Sequence, residues 1–246
     1  MKFERVNQFG NLEYSYISDF SGGYISKNKK LFDNIELTSL NKFILEKSVF
    51  GTPIFKLGEG ENKLLILSGI HGNELSPQIA NLRLLNELID NGLSSTLYFI
   101  PFAAPKSSMN SERNFNSLDL NRSTHINNSL SNLILKAVLE LGINFVGDFH
   151  STSEKSNPGF ESVFSSKSPT PESFLIANYI SRDMGSEVIS FDFAGSSYNG
   201  AVEDVCNLKG VPAVTCEVLC PFSDVVSGSV ETSLAQMKSF LDYFGQ

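Results

Sequence analysis

The sequence holds three histidines among its 246 residues, and two of them sit in polar motifs at the ends of apolar runs. His71-Gly72-Asn73-Glu74 follows the run Lys63–Ile70. An imidazole and a carboxylate three residues apart face one point if the chain turns into a helix there, and Gly72 permits the tight turn. His150 closes a second apolar run, within Gly147-Asp148-Phe149-His150-Ser151-Thr152. Imidazole and carboxylate both suit Zn²⁺, at roughly 2.0–2.2 Å. Two histidines plus one carboxylate leave a fourth position for water, the arrangement of catalytic rather than structural zinc. His71, Glu74 and His150 are therefore the candidate ligands of one zinc ion. A lone His-x-x-Glu is common by chance, and His150 gives it weight. Asp148, on the same strand face as His150, either orients a ligand histidine or takes strand-end backbone hydrogen bonds. His125 lies in a Ser/Asn-rich stretch and reads as a solvated surface residue.

Glu217 interrupts the apolar run Pro212–Val218. A carboxylate there is unfavourable unless it is paired or stands at a mouth. It reads as a general base that takes a proton from the attacking water and returns it to a leaving amine, and partial burial raises its pKa toward that task. The competing reading is a strand-end Glu paired with a core Arg. Asp119-Leu120-Asn121-Arg122 lies in a long loop, where Asn121 and Arg122 together can grip a carboxylate. Arg113, earlier in the loop, can stabilise an oxyanion. Loop arginines are otherwise ordinary surface charge, but long loops in compact domains tend to be functional. Tyr198, in the glycine-flanked stretch Gly195–Gly200, either points its phenol at the site or merely packs.

The elements that must carry these residues alternate. Strands are predicted over Lys63–Ile70, Thr96–Ala103, Asn144–Phe149, Glu187–Phe193 and Val211–Val218. Helices are predicted over Glu74–Asn91, from an N-cap at Ser129 to Leu141 with Gly142 ending it, over Pro171–Met184 and over Ser229–Phe244. Lys42–Leu57 reads as two short strands joined at Gly51-Thr52-Pro53. The stretch from Ala103 through Asn128 reads as polar loop. The alternation predicts an α/β fold, a single domain with a mixed, mostly parallel central sheet flanked by helices, with sites where strands end. Residues 1–62 form an N-terminal extension and hairpin, 63–218 the catalytic core, and 219–246 a closing loop and helix.

The net charge of −8 and pI of about 4.9 exclude a general affinity for nucleic acid or an anionic membrane, which needs clustered Lys and Arg. No apolar run reaches signal-peptide or transmembrane length, so a cytoplasmic protein is expected. Cys206, Cys216 and Cys220 form no disulfide framework and suggest reduced thiols. Cys216 and Cys220 flank Glu217, which makes a metal role conceivable. The apolar run around Cys216 favours a small buried hydrophobe.

Taken in order, Gly51-Thr52-Pro53-Ile54, Gly69-Ile70-His71-Gly72-Asn73-Glu74, Arg113, Asp119-Leu120-Asn121-Arg122, Asp148-Phe149-His150-Ser151-Thr152 and Glu217 resemble the zinc carboxypeptidase superfamily. This superfamily includes the succinylglutamate desuccinylase/aspartoacylase branch. The resemblance implies a mixed sheet flanked by helices and one catalytic zinc on His71, Glu74 and His150. It implies Glu217 as base, Arg113 as the group that polarises the carbonyl, and Asn121 with Arg122 as the clamp on a substrate carboxylate. Tyr198 carries over on looser spacing. His-Gly-Asn-Glu and the short interval from Arg113 to Asn121 look more like the deacylase branch. Only residues 218–246 follow Glu217, which looks more like compact carboxypeptidases. The expected activity is hydrolysis of an amide bond adjacent to a free carboxylate, on a small peptide, with N-acyl amino acid deacylation as the alternative.

Overall fold

The run Leu64–Leu67 offers no polar side chain to water on either face, and all four residues are fully buried. It forms β4 (Lys63–Ser68) near the middle of a nine-stranded sheet. A computed structural model describes residues 1–246. The other strands are β1 (Glu4–Arg5), β2 (Glu13–Ser18), β3 (Thr52–Leu57), β5 (Thr96–Ile100), β6 (Phe145–Thr152), β7 (Ser162–Ser166), β8 (Glu187–Phe191) and β9 (Ala213–Leu219). The helices are α1 (Lys29–Phe32), α2 (Ser39–Ser48), α3 (Leu75–Leu88), α4 (Pro105–Asn110), α5 (Leu130–Leu141), α6 (Pro171–Met184), α7 (Val202–Leu208) and α8 (Ser229–Asp242).

The strand order is β1-β2-β3-β5-β4-β6-β9-β7-β8. The central strands β5, β4, β6 and β9 run parallel to one another, as do β7 and β8 at one edge. The remaining pairings are antiparallel. This is the mixed, helix-flanked α/β sheet that the alternation of elements predicts. From β4 the chain crosses through α3 to β5 on one side, then later through α5 to β6 on the other. That reversal opens a crevice at the strand ends, where ligands bind in such sheets.

Side-chain alternation along the strands builds two cores. Leu64, Ile66, Phe99, Phe149, Val214 and Cys216 face α2, α3, α6 and α8. Leu65, Leu67, Tyr98, Ile100, Val146 and Ala213 face α5 and α7. Two faces covered by helices account for the near-continuous apolar character of β4 and β5.

Several boundaries differ from the expectation. Lys42–Val49 is not a strand: Thr38 caps α2 with its side chain, and Leu40, Ile44 and Ser48 recur at helical spacing on its buried side. The predicted hairpin is replaced by α2 leading into β3, which pairs antiparallel with β2. The polar loop before Asn128 contains α4 and a short 3₁₀ turn over Leu120–Arg122. Ser-rich β7 and the helix α7 were not predicted. Ser129 does cap α5, which Gly142 closes in the left-handed conformation.

Two glycines shape the exit from β4. Gly69 has φ +75°, a conformation that favours glycine. Gly72 is required by contact rather than by a turn: a Cβ there would lie 2.1 Å from the Ser107 carbonyl carbon of α4. We therefore expect Gly72→Ala to lower stability by about 1–3 kcal/mol in denaturant titration. Gly92→Ala, with nothing within 4 Å, should stay within ~0.5 kcal/mol of the parent. Equal effects of the two would show that α4 yields.

Candidate active site

After Gly69 the chain makes one turn, closed by the Glu74 N–H donating to the His71 carbonyl at 3.3 Å, before α3 begins. This turn aims both side chains at the end of β6. The His71 Nδ1 lies 2.7 Å from Glu74 Oε1, and the His150 Nδ1 lies 2.7 Å from Glu74 Oε2. All three residues are buried. Each far ring nitrogen has its own carboxylate: His71 Nε2 meets Asp119 at 2.9 Å, and His150 Nε2 meets Asp148 at 3.0 Å. The Ser151 backbone N–H adds a donor to Glu74 at 3.1 Å.

This donor set fits a metal. One nitrogen from each ring and one Glu74 oxygen lie within 4.8 Å of one another. Outer carboxylates that take the Nε2 protons leave the Nδ1 atoms to face inward, the usual support for metal-bound histidine. Without a metal, the His150 ring lies between two carboxylate acceptors. Burial pulls the His150 pKa down, but Asp148 and Glu74 outweigh it and hold the imidazolium well above its ordinary range. Burial pushes the Glu74 carboxyl up, and the two imidazoles reverse this and hold it far below the usual carboxylate range. Asp119 is treated likewise: burial raises it, and His71 and Arg113 bring it well down.

Glu217 sits on β9 in register with His150 on β6, so both side chains leave the sheet on one face. Its Oε2 is buried with no hydrogen-bond partner in the protein. Burial, reinforced by Glu74 and Asp148 against His150 and Arg113, pushes its pKa up to about 8. No core arginine pairs with it. Cys216, the preceding residue, points to the opposite face among apolar side chains, and burial pushes its thiol up. All three cysteines are free and buried.

The candidate substrate groups line the same cavity, of about 370 Å³. Arg113 donates to Asp119 at 3.1 and 3.2 Å and lies 3.6 Å from Glu74. Asp119 thus fixes a histidine and an arginine together. Asn121 accepts from the Val202 N–H at 3.2 Å, which ties its loop to α7 and leaves its amide hydrogens to donate. The Arg122 guanidinium stacks over the Tyr198 ring at 5.0 Å. Tyr198 is wedged edge-on against Phe164 and Phe191. His71, Glu74, Arg113, Asn121, Arg122, Tyr198 and Glu217 all border this cavity, and His150 meets it through Glu74. His125 is exposed, outside this group.

Three carboxyls were not singled out from the sequence. Asp119 stood in a quoted motif, but no spacing rule pointed it at His71. Glu203 and Asp204 lie on the unpredicted α7. Glu203 lines the cavity. Asp204 accepts the Gly195 N–H and so holds down the loop that carries Tyr198.

Comparison with known proteins agrees with this geometry. Residues 61–163 match the succinylglutamate desuccinylase/aspartoacylase catalytic domain. No curated protein matches the sequence. An aspartoacylase family protein from Mesorhizobium loti is 22% identical, with a TM-score of 0.60 over 79% of this chain and 61% of its own. A metallo-carboxypeptidase from Burkholderia cenocepacia is 15% identical, with a TM-score of 0.57 over 79% and 62%. A protein of Shewanella baltica OS155, provisionally described as a metallopeptidase, is 16% identical, with a TM-score of 0.62 over 98% and 97%. The chain spans about three fifths of the length of the first two. It has the fold of the zinc carboxypeptidase superfamily and a segment that matches the catalytic domain of one of its branches, as the ordered motifs imply.

Two outcomes follow. Zinc binding near pH 7 should release a proton, because the cation replaces the one held between His150 and Glu74. Calorimetry in buffers of different ionisation enthalpy reads this, and a buffer-independent heat would contradict it. Asp119→Asn should weaken zinc affinity about 10- to 100-fold in competition with a chelator, through the loosened His71 ring.

Proposed function

We propose that this chain is a zinc-dependent hydrolase that cleaves an amide bond adjacent to a free carboxylate, in the manner of a metallocarboxypeptidase. One observation carries the reading: His71, Glu74, Glu217 with its unpartnered oxygen, Arg113 and the Asn121/Arg122 pair all line one cavity, and His150 reaches it through Glu74. A zinc ion held by His71, Glu74 and His150 would act as a Lewis acid on the carbonyl and on water.

The protein's own groups divide the remaining work. Glu217 takes a proton from water as the water oxygen bonds to the carbonyl carbon. It then passes the proton to the amide nitrogen as the C–N bond breaks, leaving an acid and an amine. Burial raises the pKa of this carboxyl toward the range in which one group can both accept and release a proton. Arg113, steadied by Asp119, donates to the oxygen on which negative charge develops. Arg122 and the Asn121 amide hold the substrate carboxylate, and Tyr198 borders the leaving group. The substrates we infer are small peptides. No helix is long and apolar enough to cross a membrane, and a cytoplasmic setting is part of the proposal.

A second reading, an N-acyl amino acid deacylase, is favoured by the match of residues 61–163 to the deacylase catalytic domain. A panel of acyl amino acids and C-terminal peptides separates the two by their kcat/KM values. Glu217→Gln should retain zinc and lose activity by about 10²–10⁴-fold. Undiminished turnover with zinc bound would remove Glu217 from the mechanism.

A further inference from the structure

Glu203 is the one carboxyl on the cavity wall that the reaction does not use. Its Oε1 accepts from the Asn207 amide at 2.6 Å and lies 3.5 Å from the Ser166 hydroxyl. Asn207 cannot turn away. It also donates to the Ala213 carbonyl at 3.0 Å and accepts the Ala213 N–H at 3.1 Å and the Thr170 hydroxyl. The side chain is thereby fixed on α7 through one oxygen, and Glu203 lines the cavity together with Thr215, Ala201 and Phe164.

The surroundings of this carboxyl set it apart. Glu217 feels the positive charge of His150 and Arg113. The charged groups that act on Glu203 are Asp204 and Asp148, both negative, and its hydrogen-bond partners Asn207 and Ser166 are neutral. Burial, with Asp204 and Asp148, pushes its pKa up to about 8 against the hydrogen bonds from Asn207 and Ser166, which pull it down. A fixed carboxyl in a negative field, walled by apolar atoms, is completed by a cation. A neutral polar group would gain one hydrogen bond there and leave the field unbalanced.

We propose that Glu203 forms a subsite for a positively charged side chain, so that the residue carrying the substrate's free carboxylate is basic, of the lysine or ornithine type. The clamp at Asn121 and Arg122 takes the carboxylate, and Glu203 receives the ammonium group further along the same cavity. This assignment rests on the hydrolase reading above and deepens it.

The test compares lysine with norleucine, which has the same stem without the charged nitrogen. Binding of the free amino acids to the zinc-loaded protein is measured by calorimetry, and hydrolysis is measured on peptides ending in lysine, norleucine, glutamine or glutamate. Lysine should be favoured over norleucine about 10- to 100-fold in both, as expected for one charge-assisted hydrogen bond in a cavity. Glu203→Gln keeps the acceptor for Asn207 and should collapse the ratio toward one. Equal binding of lysine and norleucine to the unaltered protein would overturn the subsite without any variant. So would a preference for glutamine or glutamate, or a lysine preference that survives Glu203→Gln. The two levels separate cleanly. Cleavage without basic preference removes the subsite and leaves the hydrolase. Glu203-dependent lysine binding with no cleavage of any peptide or acyl amino acid keeps the subsite and removes the hydrolase.

Discussion

The cavity is organised by one buried carboxylate shared between two imidazoles. Glu74 gives one oxygen to His71 and the other to His150, and each ring is anchored at its far side by Asp119 or Asp148. The row Asp119–His71–Glu74–His150–Asp148 alternates in sign and remains net negative even with both rings protonated. Buried charge of this kind is tolerable only when every member has a partner. The row therefore demands positive charge at its centre, from protons or from a metal, and it allows little freedom in how the rings are turned. Arg113 is recruited into the same balance through Asp119.

The sheet makes that row possible. Strands β4 and β6 are neighbours because the connections reverse between them, so the turn after β4 and the end of β6 meet without any long excursion of the chain. Adjacent β9 brings Glu217 into register with His150. Alternation then sends Asp148, His150, Thr215 and Glu217 to one face and Phe149 and Cys216 to the other. The acidic cluster and the α3/α6/α8 core thus occupy opposite sides of the same two strands. A slip of one residue between β6 and β9 would turn Glu217 into the apolar layer.

Much of this was legible in the sequence because it depends on local signals. Apolar runs gave β4, β5, β6 and β9. Caps and helical spacing gave α3, α5, α6 and α8, and polar motifs at strand ends marked His71, Glu74, His150 and Glu217. What the sequence did not disclose depends on contacts between distant segments. Ser162–Ser166 is too polar to read as a strand, and it becomes one because it pairs with β8 and β9. Lys42–Ser48 carries helical and extended signals together, and the capping Thr38 with burial of Leu40 and Ile44 decides for helix. Asp119 and Glu203 carry no spacing signature at all, since the partner of one is 48 residues away and the other stands on a seven-residue helix.

The tie between Asn121 and the start of α7 has a further consequence. The candidate ligands and the carboxylate clamp fall within residues 61–163, whereas Tyr198, Glu203 and Glu217 lie beyond that stretch. That amide hydrogen bond, the Thr124 N–H donating to the Gly200 carbonyl and the Arg122 stack on Tyr198 join the two stretches beside the cavity, and the β6–β9 ladder joins them behind it. The groups we propose for the substrate carboxylate and for its charged side chain thus lie in separate stretches of the chain yet are held side by side. Under that proposal, changes confined to Glu203 and its immediate partners alter what is selected, while Glu217 and the candidate ligands keep their places.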